Sequence, residues 1–195
     1  MDSVIDRFIN YILLTNNITI NILQDSNNKQ LYDYVYKTLK HLNTKCYELI
    51  TIRKRREEIR DDIDDLERAY VTADSLDINE GGYNNGGKPN QVELRLIKIR
   101  ELKEQLGELI NKTMLLEKSL VDNKEMVAKI FDLLLKDDDR SKENKATVMK
   151  LYYIDCFSVS KIAIELFYER DSIRKIKSRA IYEIAIEIKK YLAKK

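Results

Sequence analysis

The amino-acid sequence lacks tryptophan, contains one proline and five glycines, and has no apolar run near the roughly 20 residues of a membrane span. Its first segment contains Asp2 and Asp6, where a signal peptide would contain lysine or arginine. We therefore expect a soluble, cytoplasmic protein without a membrane partner. A length of 195 residues excludes a large multidomain enzyme.

Cysteine and histidine are also scarce, with two cysteines and one histidine. Cys46 and Cys156 lie far apart in the sequence, without a CxxC spacing or neighbouring histidines, so we expect reduced thiols and neither a zinc site nor a redox site. His41 is the only residue on which a Ser/His/Asp or Cys/His site could depend. We predict that the protein is not an enzyme and has no catalytic residues, cofactor or metal.

Charged residues, by contrast, make up 35% of the chain, and this content favours long exposed helices. The totals of 35 basic and 33 acidic residues give a net charge of only +2. Any surface that binds nucleic acid must therefore arise from uneven placement of these charges.

Residues 1–28 predict a short helical segment. The first 15 residues have apolar side chains at helical spacing. After them, Ile18, Ile20 and Ile22 alternate with polar residues, a pattern that fits a brief strand or turn as well as a helix.

Residues 29–136 predict a long antiparallel coiled-coil hairpin. Two helices, from Lys29 to Tyr70 and from Val92 to Lys136, have apolar side chains that recur every seven residues, with interruptions at Arg56 and Thr113. Neither helix can bury its apolar stripe alone, so we expect the second to fold back on the first. In the first helix, one row comprises Val35, Leu42, Leu49, Ile63 and Tyr70, and the other comprises Ile52, Ile59 and Leu66. In the second helix, one row comprises Ile99, Leu106, Leu120, Val127 and Leu134, and the other comprises Leu102, Leu109 and Leu116.

The connection at 71–91 contains four of the five glycines and the only proline, which predicts a flexible loop. Its GGKPN segment lacks the G-x-x-x-x-G-K-[ST] spacing of a phosphate-binding loop. We therefore expect the loop to reverse the chain and not to bind a nucleotide.

Residues 141–195 predict a helix-turn-helix domain. A helix from Lys142 to Ile154 precedes Ser158, which is an N-cap candidate for a second helix, VSKIAIELF. A turn at 167–169 then leads to a third helix that begins near Arg170.

Positive charge is concentrated in this third helix. From Arg170 onward there are nine basic and three acidic residues, a local net charge of +6. We predict that the first turns of the helix enter the major groove of DNA and that later residues approach phosphates. The base-reading candidates are Arg170, Asp171, Ser172, Arg174 and Lys175, and the phosphate-contacting candidates are Lys177 and Arg179. Asp171 has two alternative roles, accepting a hydrogen bond from cytosine or orienting Arg174. A solvated basic helix in a small bundle is the alternative interpretation of the whole pattern.

The segment LYYIDCFSVSKIAIELFYERDSIRKIKSRAIYEI resembles region 4 of bacterial sigma factors, in the form found in phage-encoded transcriptional regulators of the ArpU and RinA type. The matching positions are Tyr153, Ile154, Ser158, Ile162, Ala163, Leu166, Tyr168, Ile173, Arg179 and Ala180. The sequence departs from the family pattern at Phe167, where glycine is usual, at Val159, where tryptophan is usual, and at Glu169, where a Ser or Thr cap is usual. The resemblance implies transcriptional control of phage genes.

The resulting function hypothesis is a sequence-specific, double-stranded-DNA-binding transcription regulator of phage or mobile-element type that acts as a homodimer. Its coiled coil would provide dimerisation or contact with RNA polymerase. An adaptor or inhibitor that binds a protein partner through the coiled coil is the alternative. A small terminase subunit for DNA packaging is a further alternative.

Overall fold

The computed structural model describes residues 2–74, 91–135 and 140–194, and every regular element in these ranges is an α-helix. The prediction of an all-α protein is therefore confirmed. The helices are α1 (Asp2–Asn16), α2 (Ile20–Asp25), α3 (Asn28–Asp74), α4 (Gln91–Leu134), α5 (Arg140–Tyr153), α6 (Val159–Glu165) and α7 (Arg170–Leu192). Within the described ranges, none of these helices is both long and apolar enough to span a membrane.

The ambiguous segment after α1 adopts the helical alternative. The chain leaves α1 through Asn17, whose φ of 52° is tolerated by asparagine. The following helix, α2, buries Leu23 and leaves Ile20 and Ile22 exposed, so the alternating isoleucines do not form one face of a strand. Ser26 closes α2 by donating its hydroxyl to the Ile22 carbonyl at 2.6 Å.

Both long helices extend further toward the connection than the sequence predicts. Helix α3 continues to Asp74 and α4 begins at Gln91, so residues 71–74 and 91 are helical, which corrects the predicted loop of 71–91. Residues 71–74, VTAD, contain neither glycine nor proline, and adding residues to an existing helix is easier than starting one. The rest of the predicted loop, 75–90, lies outside the described residues.

The chain divides into two compact units. Unit 1 comprises Met1–Tyr47 and Lys118–Lys195, and unit 2 comprises Glu48–Glu117. This division groups the first part of the predicted hairpin with residues near both ends of the chain.

In unit 2, the parts of α3 and α4 pack together through a small apolar cluster. Ile59 and Ile63 of α3 contact Ile99 and Leu102 of α4, with partly buried leucines around them. Exposed ion pairs flank the cluster: Arg53 with Glu117 at 2.6 Å, Lys103 with Glu67 at 2.8 Å, and Lys112 with Glu48 at 3.2 Å. The apolar rows predicted from the sequence therefore form the contact between the helices.

In unit 1, the end of α7 is joined to the beginning of the chain. The Tyr191 hydroxyl donates to Asp6 at 3.1 Å, and the Lys189 ammonium donates to the Asn28 side chain at 3.1 Å. Phe8, Val35 and Phe131, from α1, α3 and α4, are fully buried in this unit. Helix α7 is thus anchored at its C-terminal end, while its N-terminal end remains at the surface.

Candidate nucleic-acid interface

Helices α5, α6 and α7 pack around a common core, which we call the α5–α7 module. Val148 of α5, Ile162 and Ala163 of α6 and Ile173 of α7 are the buried residues of this core. Ala163 is small, and this allows α6 and α7 to approach closely. Helix α5 runs from Arg140 to Tyr153, so it begins two residues before the predicted Lys142 and ends one residue before the predicted Ile154.

Ser158 starts α6 as the sequence predicts. Its side-chain oxygen accepts a hydrogen bond from the Lys161 backbone N–H at 3.2 Å, which satisfies one of the unpaired donors of the first turn. Helix α6 has only seven residues, so its direction depends on this cap and on the buried pair Ile162 and Ala163.

Helix α6 ends in a Schellman motif centred on Phe167. The Tyr168 N–H donates to the Ala163 carbonyl at 2.9 Å, and the Phe167 N–H donates to the Ile164 carbonyl at 3.4 Å. Phe167 has a φ of 56°, in the left-handed region that favours glycine. Its side chain is 95% exposed, so no packing compensates for the strain.

Helix α7 is fixed against α5 by its buried stripe and by one ion pair. Ile173, Ala180, Ile184 and other apolar residues of α7 are buried at helical spacing. The Lys145 ammonium of α5 pairs with the Glu183 carboxylate of α7, and these side chains are only 12% and 35% exposed. The direction of α7 is therefore set by the module.

The first turns of α7 present most of the predicted site residues to solvent. Arg170, Lys175 and Arg179 are exposed, and none of them forms an ion pair with another described residue. Arg174 is also exposed, and its guanidinium donates to the Asp171 carboxylate at 2.6 Å. This pair is the contact that one of the two alternatives for Asp171 requires. Ser172 is partly exposed.

Lys177 is placed differently from the other basic residues. Its ammonium lies over the Tyr152 ring, 2.9 Å from the centroid, and 5.5 Å from the centroid of Tyr153. Burial, with a smaller contribution from the charge of Arg174, lowers the pKa of Lys177 to about 8. A phosphate contact would require this ammonium to leave the aromatic ring.

An open groove of about 730 Å³ lies between α6 and the start of α7. Arg170, Asp171 and Arg174 line it on one side, and Ile164 and Phe167 add apolar surface. Ile164 is 76% exposed. Neither of these two apolar residues is predicted from the sequence as part of the site, although Ile164 lies off the buried stripe of α6.

The described part of the chain offers no cluster of three or more His, Cys, Asp or Glu side chains that could hold a metal ion. Comparison with protein-family models, with curated proteins and with solved structures found no match. The similarity to ArpU and RinA regulators therefore remains a prediction from the sequence.

Proposed function

We propose that the protein is a sequence-specific, double-stranded-DNA-binding transcription regulator of phage or mobile-element type. Helix α6, the turn at Phe167 and α7 would act as a helix-turn-helix in which α7 is the recognition helix. The observation that supports this most is the exposed basic start of α7 on a helix whose other face is locked into the α5–α7 module. A solvated helix without a ligand would not need the strained turn at Phe167, which fixes the direction in which α7 begins.

The proposed roles follow from charge and position. Arg170, Arg174 and Lys175 would contact base edges, for which an arginine offers two parallel donors to a guanine. Asp171 would hold the guanidinium of Arg174 in position before binding. Arg179, one to two turns further along α7, would contact a phosphate and so add affinity without sequence preference.

Phe167 and Ile164 would add an apolar contact with a base to the polar contacts of the arginines. In the major groove the thymine methyl group is the apolar feature of the base edges. An exposed phenylalanine beside Arg170 would contact this methyl group and favour thymine next to a base read by arginine. A strained, exposed apolar residue is consistent with selection for binding rather than for folding.

The test begins with sequencing of DNA fragments captured by the purified protein. The selected duplex is then made with thymine and with deoxyuridine, which differ by that methyl group, and both are titrated against the protein. We expect weaker binding of the deoxyuridine duplex, and Phe167→Gly should remove the difference. Equal binding of the two duplexes would reject the thymine contact, whereas no duplex binding at low salt would reject the proposed function.

For unit 2 we infer an antiparallel coiled coil that forms a homodimer. Glu48 pairs with Lys112 while Glu67 pairs with Lys103, so the residue numbers run in opposite directions along the two helices. Large apolar side chains remain exposed in this unit, a property that favours a protein interface. They are Ile50, Leu94, Leu96, Ile97, Met114 and Leu115.

The same exposed residues favour the second candidate function, a coiled-coil adaptor for another protein such as RNA polymerase. Light scattering at micromolar concentration distinguishes the two uses of the surface. A dimer that dissociates on Leu115→Lys would support self-association. A monomeric wild-type chain would reject it and favour the adaptor.

A further inference from the structure

The structure brings together the two cysteines, which lie 110 positions apart in the sequence. Cys46 is in α3 and Cys156 is in the connection between α5 and α6. The Cys156 thiol donates to the Ile154 carbonyl at 3.8 Å, and the two thiols are close enough for each to shift the pKa of the other. The Cys46 thiol also donates to the Tyr153 carbonyl at 3.8 Å, and the Tyr47 hydroxyl donates to the Cys156 carbonyl at 3.2 Å.

These contacts belong to a larger set that satisfies the carbonyl groups at the end of α5. The last carbonyls of a helix have no partner within the helix and need other donors. Asn43 of α3 donates to the Tyr152 carbonyl at 2.8 Å, and Lys124 of α4 donates to the Ile154 carbonyl at 2.6 Å. The cysteine pair is therefore held in place by its surroundings within unit 1.

The electrostatic environment makes the two thiols unequal. The hydrogen bond with Cys156 and the nearby Lys124 ammonium lower the pKa of Cys46, while the hydrogen bond with Cys46 and burial raise the pKa of Cys156. Cys46 is 1% exposed, whereas Cys156 is partly exposed and has a φ of 57°. Exposure therefore sets the order of reaction: an external reagent reaches Cys156 first, and the Cys46 thiol beside it is placed to attack the mixed disulfide.

We propose that Cys46 and Cys156 form a redox-active dithiol that small disulfides such as oxidised glutathione convert to an intramolecular disulfide. In the first exchange the Cys156 sulfur forms a mixed disulfide, and one glutathione leaves as a thiol. The Cys46 thiolate then attacks the Cys156 sulfur and expels the second glutathione. Overall, two protein thiols are oxidised and one molecule of oxidised glutathione is reduced to two thiols.

The disulfide would join α3 to the connection that precedes α6. Because it closes a loop of more than 100 residues, the cross-link removes much conformational freedom from the unfolded chain. For a protein of this size we expect the melting temperature to rise by about 10 °C on oxidation.

The experiment treats the full native chain with oxidised glutathione at pH 8 and follows it by intact-mass spectrometry, peptide mapping and thermal unfolding. We expect a monomeric chain whose mass has fallen by two hydrogen atoms, a disulfide-linked peptide that contains Cys46 and Cys156, and a higher melting temperature. A stable glutathione adduct in the wild type, or a disulfide that forms only in denaturant or only between chains, would overturn the proposal.

Two matched variants test the order of attack. Cys46→Ser should retain glutathione on Cys156, because the resolving thiol is missing. Cys156→Ser should react slowly, because Cys46 is buried. The reverse pattern would contradict the order of attack, and circular dichroism checks that both variants are folded. The wild-type cross-link tests the dithiol itself and requires neither variant.

Discussion

Unit 2 and the α5–α7 module are both helical, yet they depend on different features of the sequence. In unit 2 the contact between α3 and α4 follows an apolar repeat of seven residues, and its ion pairs are exposed. In the module a compact core is combined with a serine cap, a Schellman turn at Phe167 and a partly buried ion pair. The seven-residue repeat is sufficient to specify the contact between α3 and α4, whereas the packing of the module depends on individual residues.

The largest change in the free energy of unfolding should come from a substitution in the core of the α5–α7 module. Ile173 is fully buried, and Ile173→Ala removes methylene groups that contact α5 and α6, so we expect the free energy of unfolding to fall by about 2–5 kcal/mol. Ile164→Ala is the matched control, because Ile164 is 76% exposed and its loss should change stability little. Urea unfolding followed by circular dichroism measures both, and equal losses would contradict the assigned core.

A smaller difference should appear between the ion pairs of the two regions. Glu183→Gln leaves Lys145 with a neutral partner in a partly buried position, which should cost about 1–2 kcal/mol of unfolding free energy. Glu117→Gln breaks the exposed pair with Arg53 in unit 2 and should cost less than about 1 kcal/mol. A larger loss of unfolding free energy for Glu117→Gln than for Glu183→Gln would contradict this prediction.

Phe167→Gly should have a still smaller effect, and in the opposite direction. Glycine adopts a φ of 56° without strain, and the exposed phenyl ring contributes no packing, so we expect a gain of about 0.5–1 kcal/mol in unfolding free energy. The same variant should bind the captured DNA more weakly. A loss of stability would show that the ring has a structural role.

The pH dependence of stability should report on Lys177. Its pKa is about 8 in the folded protein, against an ordinary value of 10.5, so between these values the unfolded chain holds a proton that the folded protein has released. The contribution of Lys177 to stability should therefore rise from pH 8 to pH 10, and Lys177→Met should lack this rise. Arg174 and the ring of Tyr152, which face the ammonium in the wild type, are present in both proteins. Parallel stability curves for the two proteins would contradict the lowered pKa.

Much of this fold follows from apolar spacing. The rows through Ile59 and Leu102 and the Ser158 cap could be predicted from the sequence, because each is a local pattern with a single physical explanation. The exposed apolar side of the groove, with Phe167, and the position of Lys177 over Tyr152 could not. They depend on how α5 and α6 meet α7, which the spacing of residues within one helix does not specify. The proximity of Cys46 and Cys156 likewise depends on tertiary packing across 110 positions.

The proposal that α7 reads DNA is tested most directly by fluorescence-anisotropy titration of the captured duplex at increasing salt. For the wild type we predict tight binding that weakens as salt is raised from about 50 to 200 mM, by orders of magnitude if roughly six phosphates are contacted. Arg170→Ala should weaken binding by about 1–3 kcal/mol and relax base preference. Arg100→Ala, which removes an exposed arginine of α4 in unit 2, should leave affinity unchanged. Equal affinity of all three proteins, or no binding at low salt, would contradict the account.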